Sequence, residues 1–363
     1  MKRKLLIISA AVIAVTAASV LTAFYAPSKL NADLEEGSSV VKCDEKHTGS
    51  NVWIEEAFPE DGKYYLDRDI TLSSEISITN KVILCLNGQT ITAAEDQRAF
   101  YIKNGGSLTI CDCKNNEGKI ISNNKSSNNT DNDSDTNSGN EARSVTSETK
   151  EEKKLNSAIY IEKNGNFTFE SGTISDFSAN EGGAVYSKGA FKMTGGVISD
   201  NNAIKGGGVY IAAEGGSFTM TGGQICKNTV AQQGGGVYVS NGSSENSCGI
   251  FNMNGGIISN NTIDEYAKTE NNDIIGGGGV YTAGKFNMKD GTISGNVSKN
   301  TLSEAHFYGG GVCISTKNGK FTMNGGVISG NTGNYGGGVY VAFGTFEMIN
   351  GKINGANNST EGG

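Results

Sequence analysis

The chain has 363 residues, a net charge of −8, 52 glycines and only 2 prolines. An acidic chain is a poor partner for nucleic acid or for an anionic lipid surface. So much glycine also excludes a helical solenoid, because each glycine inside a helix costs roughly 1 kcal/mol relative to alanine.

Residues 1–32 have the pattern of a secretory signal. Lys2-Arg3-Lys4 precede an apolar run from Leu5 to Leu21, and Ala32 offers a cleavage point. The expected location is therefore extracellular, free or held at the cell surface. If the signal stays uncleaved, this segment is the chain's one contact with a membrane. Residues 33–62 form a polar lead-in. Cys43 and His47 have the spacing of half a zinc site, but no second pair follows at a suitable distance, so the stretch reads as an N-terminal flap.

Residues 63–99 hold short strand-like pieces: Tyr64-Tyr65-Leu66, Ile70-Thr71-Leu72, Glu75–Ile78, Val82–Asn87 and Gln89–Thr92. They lack the glycine phrase that follows and fit a capping turn over the first open edge of a repeat array. From residue 100 to 355 one phrase keeps returning. It is complete in Gly309-Gly310-Gly311-Val312-Cys313-Ile314, Phe321-Thr322-Met323-Asn324-Gly325-Gly326 and Val327-Ile328-Ser329-Gly330-Asn331. The phenylalanines are Phe191, Phe218, Phe251, Phe286, Phe321 and Phe346. The methionines are Met193, Met220, Met253, Met288, Met323 and Met348. Alternation with period two means strands. Three strands per unit, with units of roughly 24 residues or more, predict an all-β fold: a single-stranded right-handed parallel β-helix. About eight three-strand turns beyond the cap would make a rod roughly 40 Å long at the strand spacing.

The insert 123–156 is rich in Asn, Ser, Asp, Glu and Lys and is expected to be disordered. The corner after Ser-x-Asn takes this insert and two later ones, Thr262–Ile275 and Val297–Tyr308. The corner after Val-Tyr-Val takes Ser240–Gly249, while the Met-x-Gly-Gly corner never lengthens. A face that collects inserts is often a binding face, yet loops are also where added residues cost least. Residues 356–363 read as a frayed tail.

The candidate binding residues form a column: Tyr186, Tyr210, Tyr238, Tyr281 and Tyr340, with Tyr101 and Tyr160 before them. Apolar neighbours on both sides put these rings on the outer face. An outward aromatic stripe can stack on sugars; equally, it can stack on itself and need no ligand. Asn201, Asn228, Asn261, Asn296 and Asn331 end the Ile-Ser strand, where asparagine tolerates the left-handed region and can bond its counterpart on the next turn. The 7 cysteines cannot all pair internally. Cys226 and Cys313 replace Ser and Tyr in their ladders. Of Cys85, Cys111 and Cys113, Cys85 lies about one turn before Cys111 and could stack on it, so stacked thiols, a disulfide or a thiolate metal site are all compatible. No cofactor is expected.

Polysaccharide cleavage needs paired carboxyl groups, or an Arg or Lys base beside acid-neutralising groups. Arg3, Arg68, Arg98 and Arg143 lie outside the regular repeats, as do His47 and His306, and Asp200, Asp264, Asp273 and Asp290 do not pair by spacing. Over about residues 64–355 the chain resembles right-handed β-helix proteins of the pectin-lyase-like fold. It is most similar to Gly-rich secreted surface proteins of Gram-positive bacteria, through Asp69-Ile70-Thr71-Leu72, Leu86-Asn87-Gly88-Gln89-Thr90-Ile91-Thr92 and the Gly-Gly-Gly-Val-Tyr units. Gly182-Gly183-Ala184-Val185, Phe251–Asn254 and Phe321–Asn324 are also similar to repeats of chlamydial polymorphic outer-membrane adhesins, without their C-terminal barrel. The resemblance implies the fold and not the function; the signal, the uninterrupted ladder and the outward tyrosine column point to a non-enzymatic adhesin that binds polysaccharide or a host or bacterial surface. The chain lacks the Gly-His-Gly and Arg-Ile-Lys motifs of the family's enzymes. A polysaccharide lyase, a glycoside hydrolase and a structural spacer are the alternatives.

Overall fold

The computed structural model describes residues 47, 49–53, 60–123, 156–263, 274–298, 307–355 and 357–361. The signal segment, Cys43, nearly all of the 123–156 insert and His306 lie outside the described residues. No described helix is long and apolar enough to cross a membrane.

The fold is a parallel β-helix. Its strands form sheets of 19, 9 and 9 strands, and equivalent residues of successive units are register partners. Phe218 pairs with Phe251 and Met220 with Met253. Ile225 pairs with Ile258, and Tyr238 with Tyr281. The largest sheet carries both the Phe-x-Met and the Ile-Ser strands. In two units these merge into single ten-residue strands, Ile250–Ser259 and Lys285–Ser294, which run straight through the Gly corner. A corner that is itself paired strand cannot lengthen without breaking its ladder, which explains why no insert occurs there.

From Ser178 on, the units also contribute a strand that the repeat phrase does not announce. Ser178–Glu181, Asn202–Lys205 and Thr229–Gln233 follow the Asn place and pair in parallel, so a unit has four strands, not three. Their buried side chains are few and small: Ala203, Val230 and Ile263 cluster with Ile275 and Phe307. The inserts fall within this sheet, between Thr262–Ile263 and Ile275–Gly276 and between Val297–Ser298 and Phe307–Tyr308. Residues Asn357–Glu361 pair with Thr332–Tyr335 in the same sheet. The lead-in is more than a polar flap, since Asn51–Val52 pairs with Tyr64 and Tyr65. Trp53 follows, 3% exposed, with its ring 6.4 Å from that of Phe100.

The interior is a set of columns. Rings stack from Phe167 through Phe191, Phe218, Phe251, Phe286 and Phe321 to Phe346 with centroids 4.5–5.2 Å apart. That is the separation of neighbouring strands, so aromatic contact and backbone pairing share one period. At the final rung Met348 is exposed, with Phe343 and Ile349 beside it. The glycine phrase is steric in origin. Gly234 has φ +70°, and a Cβ on Gly235 would lie 2.3 Å from the carbonyl oxygen of Gly278 on the next rung.

Asparagines form a second interior column. Asn201, Asn228, Asn261, Asn296 and Asn331 are all buried. Each Nδ2 donates to the Oδ1 of the next at 2.9–3.0 Å, and each backbone N–H donates to the same oxygen. The counterpart bonding is as the repeat suggests, but the left-handed backbone sits one place earlier, at Asp200, Lys227, Asn260, Gly295 and Gly330. The asparagine itself is reserved for the amide ladder. Replacing Asn261 by Ala strips the acceptor from the Asn228 N–H and Nδ2 and the donor from the Ile225 carbonyl. We expect a loss of about 2–4 kcal/mol in urea unfolding, against about 1 kcal/mol or less for Asn252→Ala, whose amide bond is only partly buried.

Candidate functional site

The tyrosines are register partners along the whole nine-strand sheet: Tyr101, Tyr160, Tyr186, Tyr210, Tyr238, Tyr281, then Cys313 and Tyr340. They point away from the interior columns, as alternation requires, yet they do not form an open stripe. Tyr210, Tyr238 and Tyr281 are only 5–8% exposed, in a separate cluster with Ala212, Ala283 and Cys313. From Tyr160 to Tyr281 the rings stack with centroids 4.8–5.2 Å apart and nearly parallel planes. In-register pairing turns each π-face toward the next rung, so those faces are already used and a sugar cannot stack on them. Cys313 offers no ring, and Tyr308 from the neighbouring sheet stacks on Tyr340 at 4.4 Å instead.

Polar groups that the repeat phrase does not single out frame the column. Glu181, Lys205 and Gln233 are register partners in the insert-bearing sheet. Gln233 Nε2 donates to the Tyr281 hydroxyl at 3.2 Å, and Lys205 Nζ lies 5.8 Å from the Tyr238 ring centre. Burial pushes the Tyr186 and Tyr210 hydroxyls well above the ordinary phenol range.

The column is more open toward both ends. Tyr101, Tyr160 and Tyr186 are half-buried, and so is Tyr340. Arg98 lies over the rings of Tyr101 and Tyr160, at 5.3 and 4.9 Å. Lys103 Nζ sits 3.4 Å from the Tyr101 centre, and Lys188 lies 5.8 Å from both Tyr160 and Tyr186. Glu162 accepts from the Tyr101 hydroxyl and from the Asn104 N–H. These bonds hold its carboxyl below the usual range, while the Tyr101 hydroxyl is pushed up to about 12, first by that carboxylate and then by burial.

Six described cysteines are outside any disulfide. Cys85 and Cys111 are register partners on adjacent rungs. Cys226 and Cys313 take the Ser and Tyr places, as the repeat suggests. The Cys113 thiol donates to Asn87 Oδ1 and is pushed up to about 11, chiefly by burial and then by Cys85. Among the described residues one side-chain group can hold a metal: His47, Cys85 and Cys113. Among the carboxylates, Asp112 is occupied structurally, accepting from the Gly88 and Gly118 N–H groups. Asp176 and Asp200 take the same place on successive rungs, a pairing that their sequence spacing hides, and both are exposed.

No family model matches the chain, and no curated protein matches it. Among solved structures it is similar to a polysaccharide lyase-like protein from C. thermocellum, determined as a gadolinium derivative. That match has 17% identity and a TM-score of 0.37, and covers 82% of this chain and 89% of the other.

If the tyrosine column is an element of stability, Tyr238→Ala should cost about 3–5 kcal/mol in denaturant unfolding, and Tyr238→Phe about 1 kcal/mol or less. The raised Tyr101 hydroxyl gives a pH prediction. A folded-state value above the unfolded one adds stability below about pH 10 that disappears as pH rises toward 12. Absorbance titration of Glu162→Gln should show one tyrosine ionising earlier than in the parent chain.

Proposed function

We propose that the chain is a secreted or cell-surface β-helix protein without catalytic activity that binds polysaccharide on a host or bacterial surface. The observation that carries this reading is the opening of the tyrosine column at Tyr160 and Tyr186. There the rings are half-buried, Tyr160 beside Arg98 and both beside Lys188, with Lys103 over the neighbouring Tyr101. Aromatic edges next to cationic side chains suit an acidic sugar chain laid along the rungs. The buried reach from Tyr210 to Tyr281 then serves as the support that fixes the spacing of the open rings.

A lyase or hydrolase would need two carboxyl groups, or a base and a neutralising group, facing one scissile bond. Asp112 is consumed by backbone amides, and Asp176 and Asp200 sit at left-handed corners on the exposed surface. The Arg98 guanidinium is tied to Glu75 at 3.4 Å and to Asn156 at 2.9 Å.

The test is retention of residues 33–363 on an array of acidic and neutral glycans. Tyr186→Ser combined with Lys188→Ala should lower retention about tenfold or more, equivalent to about 1.4 kcal/mol, while Tyr238→Phe should leave it unchanged. New reducing or unsaturated ends on any glycan would make the protein an enzyme instead. Absence of retention on every glycan would leave the spacer reading.

A further inference from the structure

We propose that His47, Cys85 and Cys113 form a binding site for a single thiophilic metal ion of the Zn²⁺ class. The inference is independent of any glycan-binding role. The three residues come from separate parts of the chain. Cys85 ends the strand Lys81–Cys85, and Cys113 lies two residues beyond Ser107–Cys111, the strand paired with it. His47 comes from the lead-in, ahead of the paired segment Asn51–Val52. Folding therefore gathers a His-Cys-Cys set that no local spacing displays.

The separations match a tetrahedral centre. With metal–sulfur bonds of about 2.3 Å and metal–nitrogen bonds of about 2.0–2.1 Å, tetrahedral angles put sulfur and nitrogen about 3.6 Å apart. His47 Nε2 lies 3.3 Å from Cys85 Sγ and 3.6 Å from Cys113 Sγ. All three donor atoms lie within 4.8 Å of one another. The imidazole is not loose: its ring stacks on Tyr65 with centroids 4.3 Å apart and planes 5° from parallel. Tyr65 is itself the register partner of Cys85, so one sheet row carries the stacking ring and a ligand.

The donor set also selects the ion. Two thiolates and an imidazole favour Zn²⁺, Cd²⁺ or Cu⁺ and give a hard cation such as Ca²⁺ or Mg²⁺ nothing it prefers. Three protein donors leave one tetrahedral position for water or an added ligand. A metal held there would staple the lead-in, and with it Trp53, onto the first rungs of the coil.

The reduced, chelator-stripped full chain should be titrated with Co²⁺ and then Zn²⁺ under anaerobic conditions. One Co²⁺ per chain, with sulfur-to-cobalt charge-transfer absorption that Zn²⁺ abolishes, is the expected result. His47→Gln and Cys113→Ser should each weaken Zn²⁺ binding about 100-fold or more, and Cys226→Ser should not change it. Far-ultraviolet circular dichroism and the unfolding midpoint of each metal-free variant establish that it is folded. Zn²⁺ should raise the unfolding temperature of the parent chain and leave that of folded His47→Gln unmoved. Failure of the reduced parent chain to take up Co²⁺ would overturn the proposal. So would full binding by His47→Gln and Cys113→Ser, which would place the metal on other thiols.

Discussion

The fold depends on parallel, in-register pairing of each unit with the next. Once Phe218 is opposite Phe251 and Asn228 opposite Asn261, every chemically identical group lies one strand spacing from its copy. A side chain is then tolerated at a place only if it stacks well on itself. Phenylalanine does so through its ring and methionine through its flexible stem. Asparagine does so by donating at one end of its amide and accepting at the other. Glycine answers a different demand, the approach of one backbone to another, as where a Cβ on Gly235 would meet Gly278 O at 2.3 Å.

The same rule decides what the outer face can do. A tyrosine in an isolated strand would show its ring to solvent. A tyrosine in this array gives both faces to its neighbours, and polar side chains of the adjacent sheet, such as Gln233 and Lys205, close over the edge. The regular face-to-face stacking is broken where the array begins, where Tyr101 turns edge-on to Tyr160 with planes 88° apart. The N-terminal end also holds several departures from repetition: the Trp53 plug, the Arg98 cation and the His47–Cys85–Cys113 group. Chemistry on an ideal ladder would be repeated on every rung, so a single site has to be built from residues that break the pattern.

The interior columns were legible in the sequence because Phe, Met and Ile recur at fixed offsets and period two is unambiguous. The insert-bearing sheet was not, because Ser178–Glu181 and Asn202–Lys205 bury only small residues and carry no recurring apolar pair. Their strands are held by the units on either side, not by a pattern of their own. The outward direction of the tyrosines was also legible, but their burial was not. Burial depends on ring orientation and on Gln233 and Tyr308, which lie tens of residues from Tyr281 and Tyr340, the rings they meet. Cys43 and His47 stand out in the sequence as a spaced pair. The partners that folding brings to His47, Cys85 and Cys113, lie 38 and 66 residues away.

The most direct test of this stacking rule is to excise one unit. Removing Gly206–Gln233 joins Lys205 to Gly234 and regenerates the native Lys-Gly-Gly-Gly-Val-Tyr sequence. Small-angle scattering and urea unfolding should report a cooperative rod shorter by one strand spacing, about 4.8 Å. Removing only Gly206–Met220 should abolish cooperative unfolding. If the full-unit deletion unfolds, or if both deletions fold equally well, register-matched stacking is not what holds the chain together.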